Sequence, residues 1–401
     1  MAIKAMTPKG FRDFLPDQAN AREFVVGKIK ETFRLFGFEP LETPALEFAE
    51  TLKGKYGEEE KLIYEFTTKG GDQVALRYDQ TVPLARVIAQ YPQQLPMPFK
   101  RYQIQSVWRG ENPQKGRFRE FLQCDADIVG SDSPMADAEI VNLVLEIYNN
   151  LGLDVVIKIN DRVNFEGLDK KYVSAIDKLE KIGESAILAE MIEKGMDSDD
   201  AKKALSTLQG KPITKNLQQI LVLLVKMGAD ASKVKYEPTL ARGLDYYTGM
   251  IFETIAEGST GSICSGGRWD KMIGAFTGQN LPAVGFGLGF DRTIEVLKEK
   301  NLLPENSASA QVLVTVFSPE LLGKSMEVTL RLRSGNIPTE IWLDPESKLD
   351  KQLKYADQKK IPYAIIIGPD EAKSGKVTLK NLSEKTQETI TLDETIEKLS
   401  S

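Results

Sequence analysis

The sequence predicts an α+β N-terminal domain built on an antiparallel sheet flanked by helices, with a small helical insertion and a C-terminal α/β domain. Two strand-like segments, 99–109 and 118–129, flank a polar loop and together indicate a long antiparallel hairpin. Residues 161–235 are rich in Lys, Glu, Asp, Ala and Leu at helical spacing. From residue 311 onwards, nearly continuous apolar strands alternate with helices, which indicates a largely parallel sheet.

The length of the chain, 401 residues, favours two or three domains over a single core. We expect residues 1–160 and 236–303 to form the core of the first domain and residues 161–235 to form the insertion. Residues 301–310 are polar and contain Pro, Asn and Ser, as is typical of a linker. The C-terminal domain would then comprise residues 311–401.

The remaining elements of the first domain follow from periodicity and turn residues. Gly37 ends the first helix, and two prolines make the next segment an edge strand, because proline donates no hydrogen bond to a central ladder. The pattern predicts a helix over 20–36, an edge segment at 38–44, a hairpin over 61–79 that turns at 69–72, a helix over 134–151 and strands within 240–291.

The C-terminal elements are indicated by apolar runs and by the helical segments between them. The pattern predicts strands at 312–317, 339–342 and 363–367, and helices at 319–334 and near 348–359. The strands are short and apolar throughout, as expected when helices cover both faces of a parallel sheet. No internal repeat is evident.

The amino-acid composition excludes several kinds of chemistry. The chain has no histidine, so an imidazole cannot act as base, nucleophile or metal ligand. Its two cysteines, Cys124 and Cys264, fit reduced thiols in a reducing compartment and cannot supply the four ligands of a structural zinc site. We expect no dedicated metal site in the protein.

The charge and hydropathy of the chain suggest a cytoplasmic protein. The formal net charge of −6 argues against non-specific coating of nucleic acid, although a local basic groove stays compatible with it. No window is apolar enough to span a membrane, and the N-terminus lacks the apolar region of a secretory signal. A partnership with membranes is therefore not expected.

Two segments combine cations with groups that suit an anionic ligand. Arg109–Phe121 places three arginines and a lysine between two strands, where guanidinium forks suit phosphate oxygens and Phe121 could stack on a base. A solvated basic hairpin explains this run equally well. Arg242–Gly249 joins an arginine, a carboxylate, Tyr246 and Tyr247, whose rings would point to opposite faces of a strand. A strand end with one structural ion pair is the alternative.

Three further segments are ambiguous when each is taken alone. The adjacent glycines of Ser265–Asp270 permit close approach of a ligand or a plain turn. Gly285–Arg292 has glycines at alternating positions, G-x-G-x-G, and lacks the spacing and the later acidic residue of a dinucleotide-binding loop. In Leu76–Arg86 a strand ends at Asp79, and Thr81 starts a helix, where it could simply be the N-cap.

In their joint order, these segments resemble the histidyl-tRNA synthetase family of class II aminoacyl-tRNA synthetases. The resemblance covers nearly the whole chain and is weakest in the insertion. Its matching parts are the class II motif 2 at 109–127, motif 3 at 285–292, the family opening at 9–13, the histidine-binding signature at 242–249, its glycine-rich companion at 265–270, and the anticodon-binding domain at 351–357 and 365–368.

The resemblance implies ATP-dependent activation of L-histidine to histidyl-adenylate and transfer to tRNA(His). It also implies a homodimer with residues 12–45 partly at the interface, and Mg²⁺ that arrives with ATP. The substrate carboxylate is already ionised, so this chemistry requires positioning and charge neutralisation but no base, and the absence of histidine is no obstacle.

The resemblance also implies roles for individual residues. For ATP they are Arg109, Glu111, Arg117, Phe121 and Arg292; for histidine they are Asp79, Thr81, Gln123, Asp127, Arg242, Tyr246 and Tyr247, with Arg109 and Arg242 as catalytic groups. The leading alternative is the non-catalytic relative that regulates ATP phosphoribosyltransferase in histidine biosynthesis, which usually lacks the signature at 242–249 and the anticodon-binding domain. A binding sensor without catalysis and another class II synthetase are further alternatives.

Overall fold

The computed structural model describes residues 4–113, 116–241, 246–259, 261–304 and 308–400. The chain divides into two compact units. The first contains the N-terminal segment up to Asp13 and Val25–Leu302, and the second contains Phe14–Phe24 and the chain from Leu303 onwards. Helix α1 (Pro16–Leu35) contributes residues to both units.

The first unit is built around a large, mostly antiparallel sheet, as the sequence predicts. Its strands and those of a small neighbouring sheet are β1 (Glu39–Pro40), β2 (Leu46–Phe48), β3 (Glu65–Thr67), β4 (Gln73–Leu76), β5 (Phe99–Trp108), β6 (Glu120–Val129), β7 (Val155–Asp161), β8 (Val234–Tyr236), β9 (Met250–Ala256), β10 (Cys264–Arg268) and β11 (Ala283–Gly289). The large sheet has the order β1-β5-β6-β11-β10-β9-β7-β8. Among the described strands of this large sheet, only the outermost pairs, β1 with β5 and β7 with β8, are parallel.

Helices flank this sheet and fill the segment predicted as an insertion. They are α2 (Ala49–Leu52), α3 (Thr81–Gln90), α4 (Pro134–Asn150), α5 (Lys170–Ile176), α6 (Leu179–Ile182), α7 (Glu184–Glu193), α8 (Ser198–Gln209), α9 (Lys215–Lys226), α10 (Gly274–Thr277) and α11 (Phe290–Glu299). Helices α5, α8 and α9 each begin after a side-chain cap, supplied by Asp169, Asp197 and Thr214. Such caps satisfy backbone N–H groups that the first helical turn leaves without partners.

At the centre of the large sheet, two glycines of β10 permit close contact with the neighbouring strands. A Cβ atom on Gly266 would lie 2.1 Å from the carbonyl oxygen of Gly285, and one on Gly267 would lie 2.5 Å from that of Met250. Both glycines are in β10, a buried strand between β9 and β11. The interpretation of this segment as a plain turn is therefore wrong, and the glycines serve close packing of strands.

The second unit has a five-stranded mixed sheet of its own. It contains β12 (Val312–Val314), β13 (Thr339–Ile341), β14 (Tyr363–Ile366), β15 (Lys376–Asn381) and β16 (Thr386–Thr391), together with α12 (Leu322–Ser334), α13 (Leu349–Gln358), α14 (Pro369–Ser374) and α15 (Leu392–Ser400). The order is β13-β12-β14-β15-β16. The first three strands are parallel, as predicted, whereas β15 and β16 form an antiparallel hairpin that the sequence pattern does not indicate.

Both cysteines are buried in the first unit and form no disulfide. In the parts of the chain that the structure describes, no helix combines the length and apolar character needed to cross a membrane.

Candidate active site

A cavity of about 730 Å³ opens over strands β6 and β11 in the first unit. It is lined by eleven of the twelve residues that the sequence singles out for ATP or histidine: Asp79, Thr81, Arg109, Glu111, Arg117, Phe121, Gln123, Asp127, Tyr246, Tyr247 and Arg292. The twelfth, Arg242, lies outside the described residues, as do its neighbours 243–245. The structure thus brings into one place residues that are more than 200 positions apart in sequence, from Asp79 to Arg292.

Strand periodicity places the polar side chains of β6 on the cavity side. Phe121, Gln123 and Asp127 occupy alternate positions, so they share one face of the sheet. Their neighbours on β11 include Gly285, where a Cβ atom would lie 2.0 Å from Asp127 Oδ1, and Gly287, where it would lie 3.0 Å from Gln123 Nε2. The alternating glycines of β11 therefore make room for polar groups on the adjacent strand.

A buried arginine lies next to these groups. Arg101, on β5, is directly opposite Asp127 in the strand register, is fully buried, and pairs with it at 2.5 Å between Nη2 and Oδ2. Asp125 also lines the cavity, and both of its oxygens accept hydrogen bonds from Gln123 Nε2, at 2.8 and 3.0 Å. Sequence reasoning missed Arg101 and Asp125. The alternation on β6 could have indicated Asp125, since it lies between Gln123 and Asp127 on the same face.

Burial sets the protonation of these two carboxyl groups. Removal from water raises the pKa of Asp125 to about 8 and that of Asp127 to about 6. The positive charge of Arg101 opposes both shifts, and the neighbouring Asp127 adds to that of Asp125. Near neutral pH the pair therefore holds a proton mainly on Asp125.

We expect Asp125→Asn to make the protein less sensitive to alkaline pH. The pKa of Asp125 in the folded state, about 8, is above the ordinary value of about 3.9, so its contribution to stability is present at low pH and is lost as pH rises through about 8. Thermal unfolding at about pH 5 and about pH 9 should show a higher Tm for the variant, relative to wild type, only at the higher pH. An equal Tm difference at both pH values would contradict this. The exposed Asp132, as Asp132→Asn, controls for loss of one charge.

Asp79 and Thr81 lie where β4 leads into α3. Asp79 Oδ1 accepts hydrogen bonds from the Tyr56 hydroxyl at 2.9 Å and from the Val82 amide at 3.1 Å. Burial raises the pKa of Asp79, and the hydrogen bond from the Val82 amide opposes this shift. Gln80, without a side-chain cap, is the N-cap of α3, and Thr81 is the first helical residue. The interpretation of Thr81 as the N-cap is therefore wrong, and its side chain belongs to the cavity lining.

Three arginines, Arg109, Arg117 and Arg292, also line the cavity. Arg109, at the end of β5, donates from Nε to the Tyr78 carbonyl at 3.2 Å, and its guanidinium lies 4.5 Å from the centre of the Tyr78 ring and 5.1 Å from that of Phe121. Arg292 donates to the Ser262 carbonyl at 2.7 Å. Burial, and next the positive charge of Arg117, lower the pKa of Arg292. Cations in this arrangement attract an anionic ligand.

Tyr246 and Tyr247 precede β9 and are not part of a strand. Their ring centres are 4.8 Å apart with the planes tilted by 54°, and both residues line the cavity. The expectation that the rings point to opposite faces is wrong, because it depended on strand geometry. The two tyrosines instead supply adjacent aromatic surfaces to the same space.

Comparisons with known proteins agree with this architecture. The family model for histidyl-tRNA synthetases matches residues 10–293, and the family model for anticodon-binding domains matches residues 311–401. The histidine–tRNA ligase of Cytophaga hutchinsonii is 39% identical, with 99% of each chain covered, and that of Gloeobacter violaceus is 39% identical, with 96% of each covered. The crystal structure of histidyl-tRNA synthetase from Nostoc sp. PCC 7120 is 30% identical and covers 99% of this chain and 100% of its own, with a TM-score of 0.87.

The two matched family models, together with a large sheet flanked by helices, identify the chain as an aminoacyl-tRNA ligase. The similarity extends over the full length of the relatives and includes both units. The chain belongs to the histidyl-tRNA synthetase family, and its activity is that of a histidine–tRNA ligase.

Proposed function

We propose that the cavity is the place where L-histidine reacts with ATP to give histidyl-adenylate and pyrophosphate. The observation behind this proposal is the convergence of eleven residues, arginines and carboxylates among them, on one cavity. The oxygen of the substrate carboxylate attacks the α-phosphorus of ATP, and the bond to the β-phosphate oxygen breaks. Since the nucleophile is already ionised, the protein has to align it and neutralise phosphate charge.

In the part of the cavity proposed for ATP, arginines bind the phosphates. Arg109 contacts the α-phosphate, where its fork of N–H groups stabilises the charge that develops as the substrate attacks. Arg117 and Arg292 hold the outer phosphates, and Phe121 stacks under the adenine. Glu111 lies 3.5 Å from Arg117 and orients it. Mg²⁺ enters bound to ATP as part of the substrate.

Carboxylates and hydroxyls define the proposed histidine half. Asp79, Thr81 and Gln123 receive the ammonium group, which donates three hydrogen bonds and carries a positive charge that suits a buried carboxylate. Asp127 and Tyr247 recognise the two imidazole nitrogens, one of which donates and one of which accepts. We assign Tyr246 to the wall of this half. Arg242 would contact the reacting carboxylate.

The proposal extends to the second step and to the assembly. Histidine passes from the adenylate to tRNA(His), which the anticodon-binding domain at 311–401 helps to select. We assign residues 1–160 and 236–303 to a class II catalytic core and 161–235 to its insertion. We further propose a cytoplasmic homodimer whose interface includes part of residues 12–45, related by a two-fold axis.

Exchange of labelled pyrophosphate into ATP tests the first step directly. Wild type should catalyse exchange that depends on histidine and on no other amino acid, and Arg242→Ala should lower the rate by roughly 10²-fold or more. The variant must keep the thermal unfolding temperature of wild type for the comparison to count. Absence of exchange with every amino acid, in a folded protein, would favour the regulatory relative of histidine biosynthesis.

A further inference from the structure

The segment Lys9–Asp13 packs against the loop that follows Arg109. The Gly10 carbonyl accepts a hydrogen bond from the Arg119 amide at 2.9 Å. The Arg119 side chain in turn donates to the Glu111 carbonyl at 3.0 Å. Gly10 has φ +89°, and a Cβ atom there would lie 2.7 Å from Arg119 Cγ. This close approach places the next residues of the segment over the loop.

Arg12 is the residue of this segment that joins two separate elements of the cavity wall. Its guanidinium carbon lies 3.1 Å from the centre of the Phe118 ring, which belongs to the loop. Its Nη2 donates to Asp291 Oδ1 at 2.8 Å, and Asp291 is on the first turn of α11. The Asp291 side chain is only 6% exposed, so solvent screens this ion pair less than a surface pair.

Both partners of Arg12 are sequence neighbours of proposed phosphate ligands. Phe118 follows Arg117, and Asp291 precedes Arg292. The loop and the helix also approach each other at Gly116, where a Cβ atom would lie 3.5 Å from Arg292 Cγ. The positive charge of Arg117 contributes to the lowered pKa of Arg292, so the two guanidinium groups repel each other when no phosphate lies between them. A further attachment between the loop and α11 would oppose this repulsion before ATP binds.

We propose that Arg12 is a positioning residue for ATP, which ties the Phe118 loop to Asp291 and thereby holds Arg117 and Arg292 at the spacing that the outer phosphates require. The inference rests on the proposed function of the cavity. It concerns one substrate only, because Arg12 contacts neither Asp79 nor Asp127 in the histidine half.

Substitution of Arg12 should therefore change the KM for ATP without changing the KM for histidine. In pyrophosphate exchange, Arg12→Ala should raise the KM for ATP about tenfold and leave the KM for histidine within about twofold of wild type. Arg12→Lys keeps the charge near Asp291 and loses the planar stack on Phe118. Its KM for ATP should therefore lie between those of wild type and Arg12→Ala. A general loss of structure would lower the amount of active enzyme, and therefore the apparent kcat, without raising the KM for ATP alone.

Arg162→Ala provides a matched control. Arg162 also lies over a phenylalanine ring, 5.8 Å from the centre of Phe165, but is absent from the cavity lining. Its KM for ATP should equal that of wild type. An unchanged KM for ATP in Arg12→Ala, or equal changes in both KM values, would overturn the inference.

Direct binding of Mg²⁺–ATP, measured by calorimetry, separates this inference from the proposed function. If Mg²⁺–ATP binds Arg12→Ala more weakly than wild type, the role of Arg12 is supported. If wild type in addition shows no pyrophosphate exchange, only the proposed reaction is wrong. Equal binding to both proteins, with normal wild-type exchange, rejects the role of Arg12 and leaves the proposed reaction in place.

Discussion

Replacement of Arg109 by alanine is expected to lower histidine-dependent pyrophosphate exchange by roughly 10³-fold, mainly through kcat. Arg109 is half-buried in the cavity wall, and its guanidinium is fixed by the Tyr78 carbonyl and by the Tyr78 and Phe121 rings. A cation held in this way stabilises charge on the α-phosphate without reorganising during the reaction. Single-turnover formation of the adenylate is the measurement that isolates this step.

Two variants make the Arg109 result specific. Arg109→Lys keeps a positive charge but loses the planar pair of donors, so it should recover only a small part of the rate. Arg331→Ala removes an exposed arginine that pairs with Asp393 in the second unit, and its exchange rate should equal that of wild type. If Arg109→Ala retains more than about a tenth of wild-type kcat, the proposed contact with the α-phosphate is wrong.

The second large effect is expected for Asp127→Asn, which should raise the KM for histidine by roughly 10²-fold while changing the KM for ATP little. Asp127 is the proposed acceptor for an imidazole N–H, and Arg101 favours its ionised form. The amide has no charge, and its NH2 group would face either Arg101 or the imidazole N–H, both of which donate. Steady-state exchange at varied histidine concentration measures the change.

Loss of stability has to be separated from loss of recognition in Asp127→Asn. Breaking a buried ion pair by removing one partner commonly costs about 3–5 kcal/mol. Asp137→Asn breaks another buried pair, with Arg268 at 2.8 Å, outside the cavity lining. This control should lower the Tm and leave the KM for histidine unchanged. Similar KM increases in both variants would mean that Asp127 acts through the fold alone.

Strands and helices with a strong periodic signal are predictable from this sequence. The β5–β6 hairpin and α4 lie within about two residues of the predicted positions, because their apolar residues alternate or recur at helical spacing. The hairpin β15–β16 was missed because β16 is largely exposed and polar, and because its turn contains Lys385 at φ +57° in place of a glycine. A strand without a buried face lacks the alternation of apolar and polar residues by which strands are predicted.

The cavity was predictable only for residues within recognisable motifs. Asp79, Arg109 and Arg292 lie in such motifs, and the fold brings them together. Arg101 occupies an ordinary strand position in the sequence. Its pairing with Asp127 follows from the register between β5 and β6, which no local pattern specifies. The contact between Arg12 and Asp291 joins residues 279 positions apart and depends on tertiary structure in the same way.

Asp125 and Asp127 are buried carboxyl groups with raised pKa values in a chain that has no histidine. In most proteins histidine side chains dominate proton uptake between about pH 6 and pH 8. This chain has no histidine, so no imidazole of the protein takes up protons in that range. Proton uptake by Asp125 and Asp127, whose pKa values are raised, is therefore easier to detect. When histidine binds, its ring is the only imidazole in the complex with the protein. Nitrogen resonances of an isotope-labelled substrate would therefore report the tautomer held by the cavity without overlapping imidazole signals from the enzyme.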